Sequence, residues 1–151
     1  MNIFELLKKD HEKVLGIFEE LEEAGEEAVG KQDSKQDRLF SRLRRELEIH
    51  MGGEELILYS PLKEEEETRA IVLESYEEHH IVRLLLEEMD KMPKDEYWVA
   101  KLSVLKGNFM HHIGREEGDL FEEAQEIINE EAAMSIGKHM AEYKREQIIH
   151  T

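Results

Sequence analysis

Two stretches of the chain set a histidine four residues ahead of a glutamate: His50 and Glu54 in HMGGEELILYSPL, and His112 and Glu116 in HIGREEGDLFEEA. Each pair is followed by a second glutamate, Glu55 or Glu117, and each has a glycine two places after its histidine, Gly52 or Gly114. Residues at i and i+4 of a helix stand ~5–6 Å apart on one face, so an imidazole nitrogen and a carboxylate oxygen can reach one ion together. Such N and O donors suit iron, manganese or zinc, and a carboxylate between two ions can bridge them. Glycine inside a helix costs up to ~1 kcal/mol against alanine, so these glycines need a reason. Missing Cβ atoms that let a neighbouring helix or a small ligand approach the pair would supply one.

The elements that must position these pairs are helices. Long stretches rich in Glu, Lys, Leu and Ala, interrupted by only two prolines, repeat apolar residues every three or four positions. The pattern predicts helices over about 2–29, 34–60 (ended by Pro61), 66–91 (stopped before Pro93) and 95–128, then a shorter C-terminal helix over about 131–148. Short connections make consecutive long helices antiparallel neighbours. The fold class expected is all-α: an up-down-up-down four-helix bundle over about 2–128 with the C-terminal helix packed outside, in one domain spanning 1–151.

At about 100° per residue, the apolar stripes select one histidine from each bundle helix. His11 shares its stripe with Phe4, Leu7, Val14 and Phe18, and His50 lies with Leu43, Leu47 and Glu54. His79 keeps company with Val72, Tyr76, Val82 and Leu86, and His112 aligns with Leu105, Phe109 and Glu116. His80 and His111 point the other way, and His139 and His150 are assigned no role. An internal repeat makes the same selection: DHEKVLGIFEEL (10–21) aligns with EHHIVRLLLEEM (78–89), matching His11 to His79 at an offset of 68. The two histidine–glutamate pairs match at an offset of 62. Two helical hairpins, each with one lone histidine and one pair, imply a pseudo-twofold bundle whose ligands meet on the axis. Two buried carboxylates would be costly there without a metal.

Composition removes other classes. The chain has no cysteine, which excludes disulfides, thiolate zinc sites and cysteine-held clusters and suits a reducing cytoplasm. A formal net charge of −17 opposes nucleic acid and anionic lipid. No run approaches the ~18 apolar residues of a membrane span. The acidic runs are read as solvated helix faces, and a soluble cytoplasmic protein without a nucleic-acid or membrane partner is expected.

Taken together, KKDHEKV, HMGGEELILYSP, EEHHIVRLLLEEM and HHIGREEGDLF resemble the hemerythrin family, in particular bacterial HHE cation-binding domains, over roughly residues 5–125. The resemblance implies a non-haem centre of two iron ions, oxo- or hydroxo-bridged, with zinc or manganese as other occupants. It implies His11, His50, His79 and His112 as terminal ligands and Glu54 and Glu116 as bridges. Glu55 and Glu117 compete with them. In the oxygen carriers the last carboxylate follows its histidine by five residues, which selects Glu117, whereas the internal repeat favours Glu116.

The carriers also place a further histidine one turn after the third-helix ligand, where this chain has Arg83. With roughly six positions per iron, the remaining donors and a bridging oxygen fill about ten of about twelve, so each ion keeps one open position. That symmetry resembles the branch concerned with iron-centre repair and nitric-oxide response. The cysteine-bearing N-terminal region common in that branch has no counterpart here, which argues against direct repair. Arg83 and Tyr76 are expected just outside the ligands, the guanidinium either donating to a ligand at an open position or extending outward to a surface glutamate. The function implied is binding or sensing of O₂, nitric oxide, peroxide or iron level, with the C-terminal helix as an output and no protein partner indicated. The alternative is an oxidoreductase or iron-handling protein that reduces peroxide or nitric oxide or donates iron. A ferritin-like carboxylate bundle is disfavoured, because only Glu77 with His80 fits E-x-x-H and His80 faces outward.

Overall fold

The computed structural model describes residues 1–27 and 34–149, and all regular structure among them is helical. Helix α1 spans Ile3–Glu27. Helix α2 begins as Ser34–Gly53, widens into a π turn at Glu54–Tyr59 and closes with Ser60–Leu62. Helix α3 spans Glu66–Lys91. Helix α4 repeats the pattern of α2, with Glu96–Arg115, a π turn at Glu116–Leu120, and Phe121–Ile127. Helix α5 spans Glu130–Ile149. The expected end of the first helix at 28–29 and His150 lie outside the described residues.

Short polar side chains set several of these starts. Asn2 accepts from the Glu5 N–H at 2.9 Å, Asp95 from Tyr97 and Trp98 at 3.0 and 3.2 Å, and Asn129 from Ala132 at 2.8 Å. Helix α3 ends where Met92 turns extended ahead of Pro93. Pro61 does not end α2, contrary to the sequence expectation. It falls in the first α turn after the π segment, where a residue without an N–H is tolerated, and the helix continues to Leu62.

The buried apolar residues form two groups. One contains Phe18, Leu43, Leu86, Trp98 and Leu105, the other Phe4, Leu58, Tyr59, Val72 and Phe121. Along all four bundle helices the inward histidines and glutamates fall between a stretch of one group and a stretch of the other. The result is a polar layer sealed above and below by apolar side chains.

Helix α5 lies outside the bundle across α1 and α2. Small residues let it approach. A Cβ on Gly137 would sit 2.5 Å from the Met1 carbonyl oxygen, and one on Gly53 would sit 2.5 Å from Met140 Cε. A Cβ on Gly52 would meet the Tyr143 hydroxyl at 2.8 Å, so the glycines after His50 make room for a neighbouring helix and not for a ligand. Gly114, their counterpart after His112, faces open space. Helix α5 therefore covers one half of the pseudo-twofold and leaves the other bare.

Candidate metal centre

The polar layer gathers His11, His50, Glu54, His79, His112 and Glu116, each at most 2% exposed. The ε nitrogens all turn inward. His50 Nε2 and His79 Nε2 lie 3.1 and 3.2 Å from the same oxygen, Glu54 Oε1. His11 Nε2 is 3.1 Å from Glu116 Oε1, and His112 Nε2 is 3.4 Å from Glu116 Oε2. Each carboxylate thus spans two histidines from different hairpins. Potential ligand atoms fall into two sets, each within 4.8 Å: His11, His50, Glu54 and Glu116, and Glu54, His79 and His112. Glu54 belongs to both.

The δ nitrogens all turn outward onto carboxylates. His11 Nδ1 meets Glu117 and His79 Nδ1 meets Glu55, both at 2.6 Å. His50 Nδ1 meets Asp10 at 3.2 Å, and His112 Nδ1 meets Glu78 at 2.8 Å. A carboxylate there accepts the Nδ1–H, so the Nε2 lone pair faces the interior, which is how proteins prepare imidazoles for metal. The arrangement obeys the sequence repeat, because Asp10 and Glu78 are related by the histidine offset and Glu55 and Glu117 by the pair offset.

The π turns explain why consecutive glutamates serve different partners. In a regular α-helix, neighbours diverge by about 100° and only one addresses a given site. Each π turn opens at the first glutamate of its pair, a local widening that is common at functional positions. Glu54 and Glu116 then reach the axis, while Glu55 and Glu117 reach the back of a histidine on another helix. Glu117, with its side chain 35% exposed, sits behind His11 and not on the axis, as Glu55 does behind His79.

Arg83 follows neither expectation fully. It clasps the Glu55 carboxylate with both terminal nitrogens, at 2.8 and 3.2 Å, and so steadies the partner of His79. Tyr76 donates to the Glu55 carbonyl at 3.3 Å. His80, His111 and His139 are exposed. Sequence reasoning passed over Asp10, Glu78 and Tyr59. The signal for the first two is an acidic residue immediately before each lone histidine. For Tyr59, a buried phenol donating to Glu116, it is a broken match in the repeat.

Electrostatics mark the layer as unfinished. Burial and the neighbouring Glu116 push the Glu54 carboxyl up to about 8. Glu116 goes the other way: burial opposes its charge, but the neighbouring Glu54 carboxyl and the charge of His112 hold it well below the usual carboxylate range. His112 resists burial through Glu116 and Glu78 and is raised to about 10. At neutral pH the layer thus holds protons in place of stronger cations. Outside it, His112 draws Glu78 downward, while Asp10 and Glu55 are lowered against burial by His50 with Lys144 and by His79 with Arg83. Even so, His11 Nε2, His50 Nε2, both oxygens of Glu54 and Glu116 Oε1 are buried without a hydrogen-bond partner. Buried polar atoms left unpaired in this way are expensive, and all five belong to a donor set that suits a first-row metal.

Four helices holding a buried imidazole and carboxylate layer define a helical bundle with a cluster that could hold a metal ion. The chain belongs to the hemerythrin HHE cation-binding domain family, whose family model matches residues 2–124. A crystal structure of a hemerythrin HHE cation-binding-domain protein from Mycobacterium kansasii has the same fold, with a TM-score of 0.84 at 23% identity, covering 97% of this chain and 87% of that one. No curated protein matches the chain. No helix among the described residues is long and apolar enough to cross a membrane.

Proposed function

We propose that the chain holds two iron ions in this layer and binds or senses a small oxidant or diatomic ligand, namely O₂, nitric oxide or peroxide, in the cytoplasm. The observation that carries the reading is the set of five buried polar atoms without a hydrogen-bond partner on His11, His50, Glu54 and Glu116, on a framework whose outward nitrogens are already satisfied. His11 and His50 would hold one ion, His79 and His112 the other, with Glu54 and Glu116 shared. Bound there, the ions would supply redox change and Lewis acidity. The chain's residues orient the imidazoles through Asp10, Glu55, Glu78 and Glu117, exclude bulk water with the apolar groups on both sides, and hold a proton at the Tyr59 hydroxyl.

That buried hydroxyl favours a second reading, an oxidoreductase acting on peroxide or nitric oxide, because turnover needs a proton source and simple sensing does not. Sustained consumption under reductant separates the two. The experiment for the proposal is metal analysis of the purified protein, with optical spectra of its reduced, oxidised and nitric-oxide-treated forms. Two irons per chain with a near-ultraviolet oxo-bridge band are expected. One zinc per chain and no iron contradicts the proposal.

A further inference from the structure

The repeat that relates the two halves breaks at two adjoining buried positions on one side of the centre. The offset of 62 that pairs Glu54 with Glu116 pairs Tyr59 with Phe121, and the offset of 68 that pairs His11 with His79 pairs Leu7 with Ser75. All four side chains are buried. Tyr59 donates to Glu116 Oε2, which is also the oxygen nearest His112 Nε2. Its ring stacks on His79 with centroids 5.4 Å apart. Phe121 instead packs edge-on against Phe4, with centroids 5.1 Å apart. It offers no donor, and both oxygens of Glu54 are left without a hydrogen-bond partner.

We infer that Tyr59 makes the two halves unequal: a small anion or peroxide entering the centre binds against the phenol on the His79 and His112 side, not on the His11 and His50 side. This rests on the proposed two-iron reading with open positions. The hydroxyl can turn from Glu116 to a neighbouring acceptor by rotation about its C–O bond, because only the proton moves. Hydrogen bonds to charged acceptors in a water-poor interior are the strong ones. Removing one costs a ligand about tenfold in affinity.

The test uses the full chain loaded with ⁵⁷Fe and azide as the probe, with affinity read from the charge-transfer band and the two irons read separately by Mössbauer spectroscopy. Wild type is expected to bind one azide per iron pair and to show two unequal iron environments. Tyr59→Phe should keep both irons, bind azide about tenfold more weakly and bring the two environments closer together. Exchanging the residues, Tyr59→Phe with Phe121→Tyr, should restore tight binding. Wild-type azide affinity in Tyr59→Phe overturns the inference. If that variant loads fewer than two irons, Phe121→Tyr alone decides: tighter or second-site azide binding supports the inference, and unchanged binding overturns it. A wild type that holds two irons and takes no azide defeats the open-position reading itself, and the inference with it.

Discussion

Asp10 and His50 stand on different helices and meet at 3.2 Å, and Glu78 and His112 repeat the pairing at 2.8 Å in the other half. In each half the acidic residue that precedes the lone histidine orients the histidine of the opposite helix in its hairpin. The two halves differ in what lies behind. Asp10 is also held by Lys144 of α5, whereas Glu78 has Arg115 and His111 of α4 nearby.

Replacing these outer carboxylates should loosen the imidazoles without removing a donor. Asp10→Asn and Glu78→Gln are each expected to lower metal affinity about 10–100-fold, as measured by competition against a chromophoric chelator. Arg83→Ala should act more mildly, because it frees Glu55 and leaves the His79 contact in place. Unchanged affinity in both carboxylate variants would show that the δ-nitrogen contacts do not prepare the histidines.

The axial glutamates should behave differently from their neighbours. Glu54→Ala or Glu116→Ala should lower metal content from two ions per chain toward one or none. His80→Ala should leave it at two, and Glu117→Ala should still reach two at saturating metal, with the weaker affinity of the other outer-carboxylate variants. Atomic absorption on the purified variants checks this, and loss in Glu117→Ala equal to that in Glu116→Ala would move the bridge to the second glutamate.

The glycines predict opposite signs for the same substitution. Gly137→Ala drives a methyl into the backbone of Met1–Ile3 and should destabilise by ~1–3 kcal/mol, a fall in Tm of roughly 3–10 °C. Gly114→Ala meets nothing within 4 Å and should stabilise by ~0.5–1 kcal/mol. Thermal melts followed by circular dichroism decide both.

Much of this was legible in the sequence because helical periodicity carries it. The inward choice of His79 over His80 and of His112 over His111 follows from the apolar stripe, and the structure places them so. The period fails where the helix itself changes: π turns at Glu54 and Glu116 shift the phase, so no helical wheel assigns Glu55 or Glu117 to a histidine on another helix. Asp10 and Glu78 lie about 100° off their own stripe, and only the packing of neighbouring helices gives them partners. The glycines of α2 showed that something approaches closely, but not that it is Tyr143 and Met140 of α5.

The metal-free protein should lose stability as pH rises. Glu54 is raised to about 8 and His112 to about 10 in the folded state. A group raised by folding contributes stability that is present below its unfolded value and lost as pH climbs through its folded value. The apo-protein should therefore melt progressively lower from neutral pH to about 10. The loaded protein should not, because metal takes the place of those protons and is itself displaced by acid. Melting curves of both forms across this range test the sign, and parallel curves would mean that no metal competes with these protons.

The most direct test of the central claim is an anaerobic titration of the metal-free chain with ferrous iron, with bound iron counted at saturation. Four histidines and two shared glutamates predict an endpoint of two irons per chain, with cooperative loss of both when Glu54 and Glu116 are replaced together by alanine. An endpoint of one iron, or an endpoint of two that survives this double replacement, would contradict the account.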